Sequence, residues 1–376
     1  MYKKLYLLMA MLVVVSVIAA ACAPQVDCTL EENFCVGFVT DTGGINDDSF
    51  NETQWNGVLQ ARDELGIHAR YIQSDEAAQY EGNLTEFASQ GYDMIVASGW
   101  KLGADTAKVA VLYPDIDFTI FDYGYPDPWI PEGEPGSTCV PNVMGQQFKT
   151  DQAAFLAGYL SAGIAIQLDP EDPKLGYFGG EPLPTVTIFG VGFQVGMELY
   201  NEVHGTSVEL VGWDNETGTG LFTMDFVDLT KGKEMTETLF DEGVEIFIPV
   251  GGLIGSPGFD VARERGGYGL WVDTDGYYSV AGSQDVILTS VLKVMDQSNF
   301  EVIKSALEGN FVGCQDYIGT LANGGVGLAP YHDLESVVPA DLAAEVEDLA
   351  DQILAGEITD TGCISYPDWC PPGLYP

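Results

Sequence analysis

The run Asp41-Thr42-Gly43-Gly44-Ile45-Asn46-Asp47-Asp48-Ser49-Phe50-Asn51 brings carboxylates, amides, a hydroxyl and an aromatic ring into one short segment. Groups of these types hold a small polar molecule through charge-assisted hydrogen bonds and a ring face. Further groups of the same kind recur downstream. Asp122 ends an apolar stretch that begins at Phe118, Asp273 closes Leu270-Trp271-Val272, and Lys293 follows Leu288-Thr289-Ser290-Val291-Leu292. Gly251 and Gly252 follow Ile246 to Val250, where a missing Cβ lets backbone approach a ligand closely. Trp100, after Ser98-Gly99, offers a second ring as a cleft wall or lid. This chemistry is binding rather than bond breaking. No Gly-x-Ser-x-Gly occurs, and His68, His204 and His332 have no evident Ser or Cys partner. Gly179-Gly180 and Gly324-Gly325 lack the spacing of a phosphate loop. With no C-x-x-C and isolated histidines, neither a metal nor a cofactor is expected.

Positioning such groups takes strands that end at a common edge. Val36 to Thr40 reads as a strand, the Asp41 to Asn51 run as a loop, and Trp55, Val58, Leu59, Ala61 and Leu65 as one face of a helix. In open α/β sheets, such loops project into the crevice beyond the carboxyl ends of the strands. Further β-type runs lie at His68 to Ile72, Met94 to Ala97, Phe118 to Phe121, Leu175 to Phe178, Val208 to Val211, Ile246 to Val250 and Gly269 to Val272. Their alternation with helical stretches, one of them ending at Pro114, predicts an α/β fold with parallel sheets. The length suits two lobes rather than one core. Tyr125 to Pro141, rich in Pro, Gly and acid, reads as a surface loop, and residues 361–376 as an irregular tail.

The amino terminus carries Lys3 and Lys4, then an apolar stretch from Leu5 to Ala21, then Cys22. This is the pattern of a secretion signal over residues 1–21, and Ala19-Ala20-Ala21-Cys22 resembles a lipobox with Ala in place of the usual Leu. Lipidation of Cys22, with residues 22–35 as a tether, would place the protein on the outward face of the cell membrane, held by lipid alone. The formal net charge is −43, two units more negative once Lys3 and Lys4 leave with the signal. A surface this acidic repels nucleic acid and anionic headgroups. The other six of the seven cysteines, Cys28, Cys35, Cys139, Cys314, Cys363 and Cys370, suggest disulfides in an exported chain. The local pairs Cys28 with Cys35 and Cys363 with Cys370 are expected, which leaves Cys139 with Cys314.

The Asp41 to Asn51 segment resembles the first ligand loop of the basic membrane protein family, the purine nucleoside receptor type of substrate-binding lipoprotein that serves ABC importers. Asp115 to Asp122 resembles that family's fourth strand, Phe155-Leu156-Ala157-Gly158-Tyr159 its interdomain helix, and Gly192 to Gly196 its second-lobe helix. Leu288 to Lys293 completes a set of matches, in order, over about residues 36–330. The resemblance implies a type I periplasmic-binding-protein fold, two Rossmann-like lobes joined by a three-crossover hinge. Lobe one would hold residues 36–146 and about 274–318; lobe two would hold 147–273 and about 319–360. It implies a purine nucleoside as ligand, ABC permease and ATPase subunits as partners, and no enzymatic step. Phe50 and Phe193 would sandwich the base, with Asn46 and Asp122 at its polar edge and Asp41 as a further ligand contact of the first loop. Asp273 and Lys293 would hold the ribose beside Gly251 and Gly252. Asp275-Gly276 departs from the family, which commonly has glutamine after the aspartate, and Trp213 to Lys231 looks longer than usual.

Three other readings stand beside this one. The first loop superficially resembles the calcium-binding aspartates of nucleoside hydrolases, but Gly43 and Asn46 stand where acids would be needed for a calcium cage. Sugar-responsive transcription regulators share the two-lobe fold but carry a basic helix-turn-helix where this chain has a secretion signal. A stacked site would also serve a non-nucleoside ligand such as a riboflavin-like ring or a signalling molecule.

Overall fold

The computed structural model describes residues 26–125 and 139–375. The signal segment, Cys22 and most of the Tyr125 to Pro141 loop lie outside the described residues. The first lobe alternates β1 (Cys35–Val39), α1 (Phe50–Leu65), β2 (His68–Ile72), α2 (Tyr80–Ser89), β3 (Met94–Ala97), α3 (Gly103–Leu112) and β4 (Asp117–Phe121), then adds β5 (Val143–Phe148). β1 and β3 are buried at every position, as central parallel strands covered on both faces must be. β2, His-Ala-Arg-Tyr-Ile, is partly exposed at the sheet edge.

The second lobe begins with α4 (Thr150–Leu168) and β6 (Lys174–Gly179), followed by α5 (Pro184–His204) and β7 (Glu209–Val211). A two-stranded ribbon, β8 (Trp213–Asp214) with β9 (Thr219–Gly220), occupies part of the long segment singled out in the sequence. Then come α6 (Leu229–Asp241), β10 (Ile246–Val250), α7 (Gly258–Arg265), β11 (Tyr268–Asp273), α8 (Gly276–Ser279) and β12 (Ile287–Lys293). The chain ends with α9 (Met295–Leu307), β13 (Tyr317–Gly319), β14 (Val326–Leu328) and α10 (Ala340–Ala355). Both sheets are six-stranded and doubly wound, ordered β2-β1-β3-β4-β5-β13 and β7-β6-β10-β11-β12-β14. All neighbours are parallel except β14, antiparallel to β12. The strand order reverses between β1 and β3 and between β6 and β10, and crevices open beyond the carboxyl ends at those points.

The chain leaves the first lobe between Phe148 and Thr150. It returns after Lys293, where α9 packs on α1 and β13 extends the first sheet, and it crosses again after Gly319 to reach β14. The second crossing therefore differs from the expected one near Thr274. The apolar run from Ile287 to Lys293 is buried by pairing with β11, so residues 274–293 belong to the second lobe. α4 and α5 lie in backbone contact along small residues. A Cβ on Gly158 would sit 1.9 Å from the Phe193 carbonyl oxygen, and one on Gly196 would sit 1.9 Å from that of Phe155. The three disulfides are Cys28–Cys35, Cys139–Cys314 and Cys363–Cys370, as the cysteine spacing led us to expect. Among the described residues no helix is long and apolar enough to cross a membrane.

Candidate ligand-binding cleft

Between the facing carboxyl ends of the two sheets lies a cavity with about 640 Å³ of space, its open mouth included. The first lobe lines it with Asp41, Asp47, Phe50, Asn51, Trp100 and Asp122. The second lobe contributes Phe189, Phe226, Gly251, Gly252, Asp273 and Lys293. Eight of the ten residues singled out as ligand contacts thus share one cavity. Asn46 and Phe193 do not.

The first loop is shaped by its own polar groups. Asp41 Oδ1 accepts from the Gly43 backbone N–H at 2.8 Å and from Asn51 Nδ2 at 2.8 Å. Asn51 Nδ2 also reaches Asp47 at 3.0 Å, and its Oδ1 accepts from Ser98 Oγ at 2.8 Å. Asp47 accepts from the backbone N–H groups of Ser49, Asn51 and Glu52, donors that the first turn of α1 leaves unpaired. This folding turns Asn46 outward. The backbone N–H of Ile45 is held by Gln73 Oε1 and the Ile45 side chain is buried, so the next residue faces solvent. Asp47 and Asn51 occupy the inner positions expected of Asn46. A carboxylate capping the residues after it was a readable signal for Asp47; nothing in the spacing marked Asn51 as the knot of the loop.

Phe193 is fully buried, because its stretch of α5 packs against α4. Phe189, one turn closer to the cleft end of the same helix, lines the cavity with Thr185 and Val186. Positions four apart share a helix face but differ by about 6 Å along the axis, enough to separate cavity wall from core. The second lobe's other ring, Phe226, comes from the irregular, Thr-, Gly- and Asp-rich segment before α6, which has no periodicity to betray it.

Asp122 and Asp273 close topologically equivalent strands, β4 and β11, and both have positive φ, 61° and 68°. Side chains other than Gly adopt this region at a cost, and such outliers cluster at functional sites. Lys293, the last residue of β12, donates to both Asp122 carboxylate oxygens at 2.7 Å across the lobe boundary. It is 2% exposed and Asp122 is 7% exposed. The family resemblance sets Lys293 beside Asp273 at the sugar; in the fold Asp273 instead accepts from Ser49 Oγ at 2.8 Å. The Lys293 ammonium also lies 5.0 Å from the Phe50 ring centre and 5.4 Å from that of Phe148.

Burial raises Asp41, Asp122 and Asp273 above the ordinary carboxylate range. For Asp122 and Asp273 the Lys293 charge opposes that rise. Burial likewise pushes Asp47 up to about 7, against the N–H groups that favour its charged form. Acids outnumber cations in the cleft, and the lobes are drawn together over them. Thr274 Oγ1 donates to the Asp48 carbonyl at 3.2 Å, and Lys101 is paired with Glu181 at the cavity mouth. Lys101 also lies 5.4 Å from the Phe226 ring centre. Among the described residues no group of three or more His, Cys, Asp or Glu is arranged to hold a metal ion.

Phe50 lies against Gly99, whose φ is +99°, and a Cβ there would meet Phe50 Cε1 at 3.1 Å. Trp100 is fixed beside it by the Tyr123 ring, 4.8 Å away. Gly99→Ala is therefore expected to shift Phe50 and weaken ligand binding roughly tenfold, within the range seen for displaced contacts, and to lower stability toward denaturant by about 1–3 kcal/mol, because Ala is strained at this φ. Titration of the folded variant checks this.

The description of the Bmp family, "ABC transporter substrate-binding protein PnrA-like", fits residues 34–360. The chain is 27% identical to Basic membrane protein A of Borreliella burgdorferi, with 84% of each chain covered. It is 24% identical to the ABC transporter nucleoside-binding protein BmpA of Lactococcus lactis subsp. cremoris, covering 85% of this chain and 87% of that one. A solved structure of an ABC transporter solute-binding protein from Aeropyrum pernix K1 superposes with a TM-score of 0.76 at 26% identity, over 89% of this chain and 96% of the other. From the first strand to the turn after α10, the chain therefore belongs to the PnrA-like Bmp family of ABC transporter substrate-binding proteins, which are not enzymes.

Proposed function

We propose that the cleft closes on a purine nucleoside, or on a closely similar flat heterocycle carrying a sugar, and presents it to the permease and ATPase subunits of an ABC importer. The observation that carries this reading is the meeting of aromatic rings from both lobes, Phe50 and Trp100 with Phe189 and Phe226, in one cavity edged by buried carboxylates. Rings stack on a base, and acceptors at two strand ends suit its N–H groups and the ribose hydroxyls. Lys293 has three N–H donors; two go to Asp122, and the third is free for a sugar oxygen. The name of the Lactococcus relative supports the same ligand class. Cys22 is the residue proposed to carry the lipid that keeps the protein on the outer face of the membrane.

Calorimetric titration of the folded protein with inosine, adenosine and guanosine tests the ligand. Phe226→Ala and Phe50→Ala are each expected to cost about 1–3 kcal/mol of binding, the worth of one stacked base. Phe193→Leu leaves affinity unchanged, since that ring lies in the core. The surplus of Asp41, Asp47, Asp122 and Asp273 over Lys101 and Lys293 disfavours phosphate, so the corresponding 5′-monophosphates bind at least tenfold more weakly. Nucleotide binding as tight as nucleoside binding, or loss of affinity in Phe193→Leu equal to that in Phe226→Ala, contradicts the assignment.

A further inference from the structure

Residues 361–375 lie beyond the family-matched region, yet they are bound into the second lobe rather than trailing from it. The Cys363–Cys370 disulfide closes a short loop, and Cys363, Cys370 and Leu374 are buried in the main core. At one end of this segment, Tyr375 donates its hydroxyl to the Asp151 carboxylate at 2.6 and 2.7 Å, and Thr361 Oγ1 donates to the same carboxylate at 2.7 Å. Asp151 is fully buried in the first turn of α4, immediately after the crossing from the first lobe. Lys149, within that crossing, places its ammonium 4.1 Å from the Tyr375 ring centre.

The middle of the segment grips the wall of the cavity from behind. Thr187 Oγ1 donates to the Trp369 carbonyl, and Gly362 packs against Val191. These two α5 positions are four apart and share a face, while Phe189 between them points about 200° away from Thr187, toward the cavity. Trp369 Nε1 donates to the Asn215 carbonyl at 2.9 Å, and Tyr366 donates to Glu216 at 3.0 Å. The ribbon that leads to Phe222 and Phe226 is thereby tied to the same strap.

We infer that the disulfide-closed segment 361–375 is a positioning strap: it fixes the backs of α4 and α5 at the hinge, so the second lobe's half of the cavity is formed before ligand arrives. This rests on the reading that the cavity binds a ligand. Two variants test it in the full chain, Tyr375→Phe, which removes one hydroxyl, and Cys363→Ser/Cys370→Ser, which opens the loop. Both are compared with the oxidised wild type well below their melting temperatures. The strap predicts at least tenfold faster hydrogen exchange in residues 150–155 and 184–191 of the disulfide variant, with a smaller rise in Tyr375→Phe and none in β1 or β3. It also predicts a loss of nucleoside affinity of about tenfold, the scale of coupling through packed elements.

Unchanged exchange at α4 and α5, or a rise spread evenly over both lobes, overturns the strap. Faster local exchange with unchanged affinity also overturns it, since the segment would then only hold the fold together. A wild type that binds no nucleoside defeats the proposed function instead, and the exchange pattern then decides the strap alone.

Discussion

Replacing Lys293 by methionine lowers the stability of the folded protein by about 3–5 kcal/mol, the usual cost of breaking a buried ion pair from one side, and removes ligand binding. Methionine keeps the length and apolar stem of the side chain, so packing against Phe50 and Phe148 is largely retained. What it deletes is the charge that Asp122 and Asp273 both feel. Their carboxylates would remain buried with no cation opposing them. The Asp122→Asn/Lys293→Met double variant recovers the part of the lost stability that comes from the unpaired Asp122 charge, while Asp273 stays unopposed, and it does not recover binding. Denaturant unfolding and titration of the two variants separate these effects. Acid provides an independent check. Without Lys293 the Asp122 carboxyl rises further, and a group raised in the folded state stabilises it at low pH and loses that contribution as pH rises. The single variant should therefore regain stability on acidification. Stability equal to wild type near neutral pH would show that the ion pair contributes nothing.

The melting temperature of the ligand-free protein falls as pH rises from about 4 to about 7; beside Glu245, which burial pushes up to about 7, and Asp117, pushed up to about 6, one share of the slope comes from Asp47. Its carboxyl moves from 3.8 in an ordinary setting to about 7 in the folded protein, mainly through burial. Between these values the folded state binds a proton that the unfolded state has released, so stability is fully present below 3.8 and is lost through about 7. The shift corresponds to on the order of 4 kcal/mol. Self-repulsion adds to the fall, since the 57 acids ionise over the lower part of the same window. Asp285, lowered chiefly by its hydrogen bond with Arg263, acts in the opposite direction but is exposed and screened. Asp47→Asn keeps an acceptor oxygen for the Ser49 and Glu52 N–H groups, gives up the bonds from Asn51, and removes the titration. Its melting temperature should vary less with pH than that of the wild type; an identical slope would assign the pH dependence elsewhere.

Much of the cleft was legible before any tertiary structure. Strand ends are marked by apolar runs that stop at a polar residue, and loops after such runs share one edge of a parallel sheet. That local rule brings Asp41, Trp100 and Asp122 to the cavity and agrees with the family resemblance that singled out Phe50, Gly251, Gly252 and Asp273, each at or after a readable strand end. The rule fails where the side chain's direction depends on what the element packs against. Phe189 and Phe193 have the same residue type and lie on the same helix face, and only the glycine-lined contact of α5 with α4 decides which of them is core.

The sequence by itself determined the alternating α/β class, a length suited to two lobes, the acidic surface and most of the strand-end acids, because each follows from periodicity, length or charge along the chain; it made the disulfide pairing an expectation among fifteen, which the fold then settled. The tertiary structure alone decided that Lys293 crosses the lobe boundary to Asp122, that Phe226 forms a wall, that the second crossing falls after β12, and that the tail is anchored to Asp151. Those contacts join residues far apart in the chain. Their geometry depends on how two independently wound sheets and a helix pair are set against each other, and no local pattern encodes that arrangement.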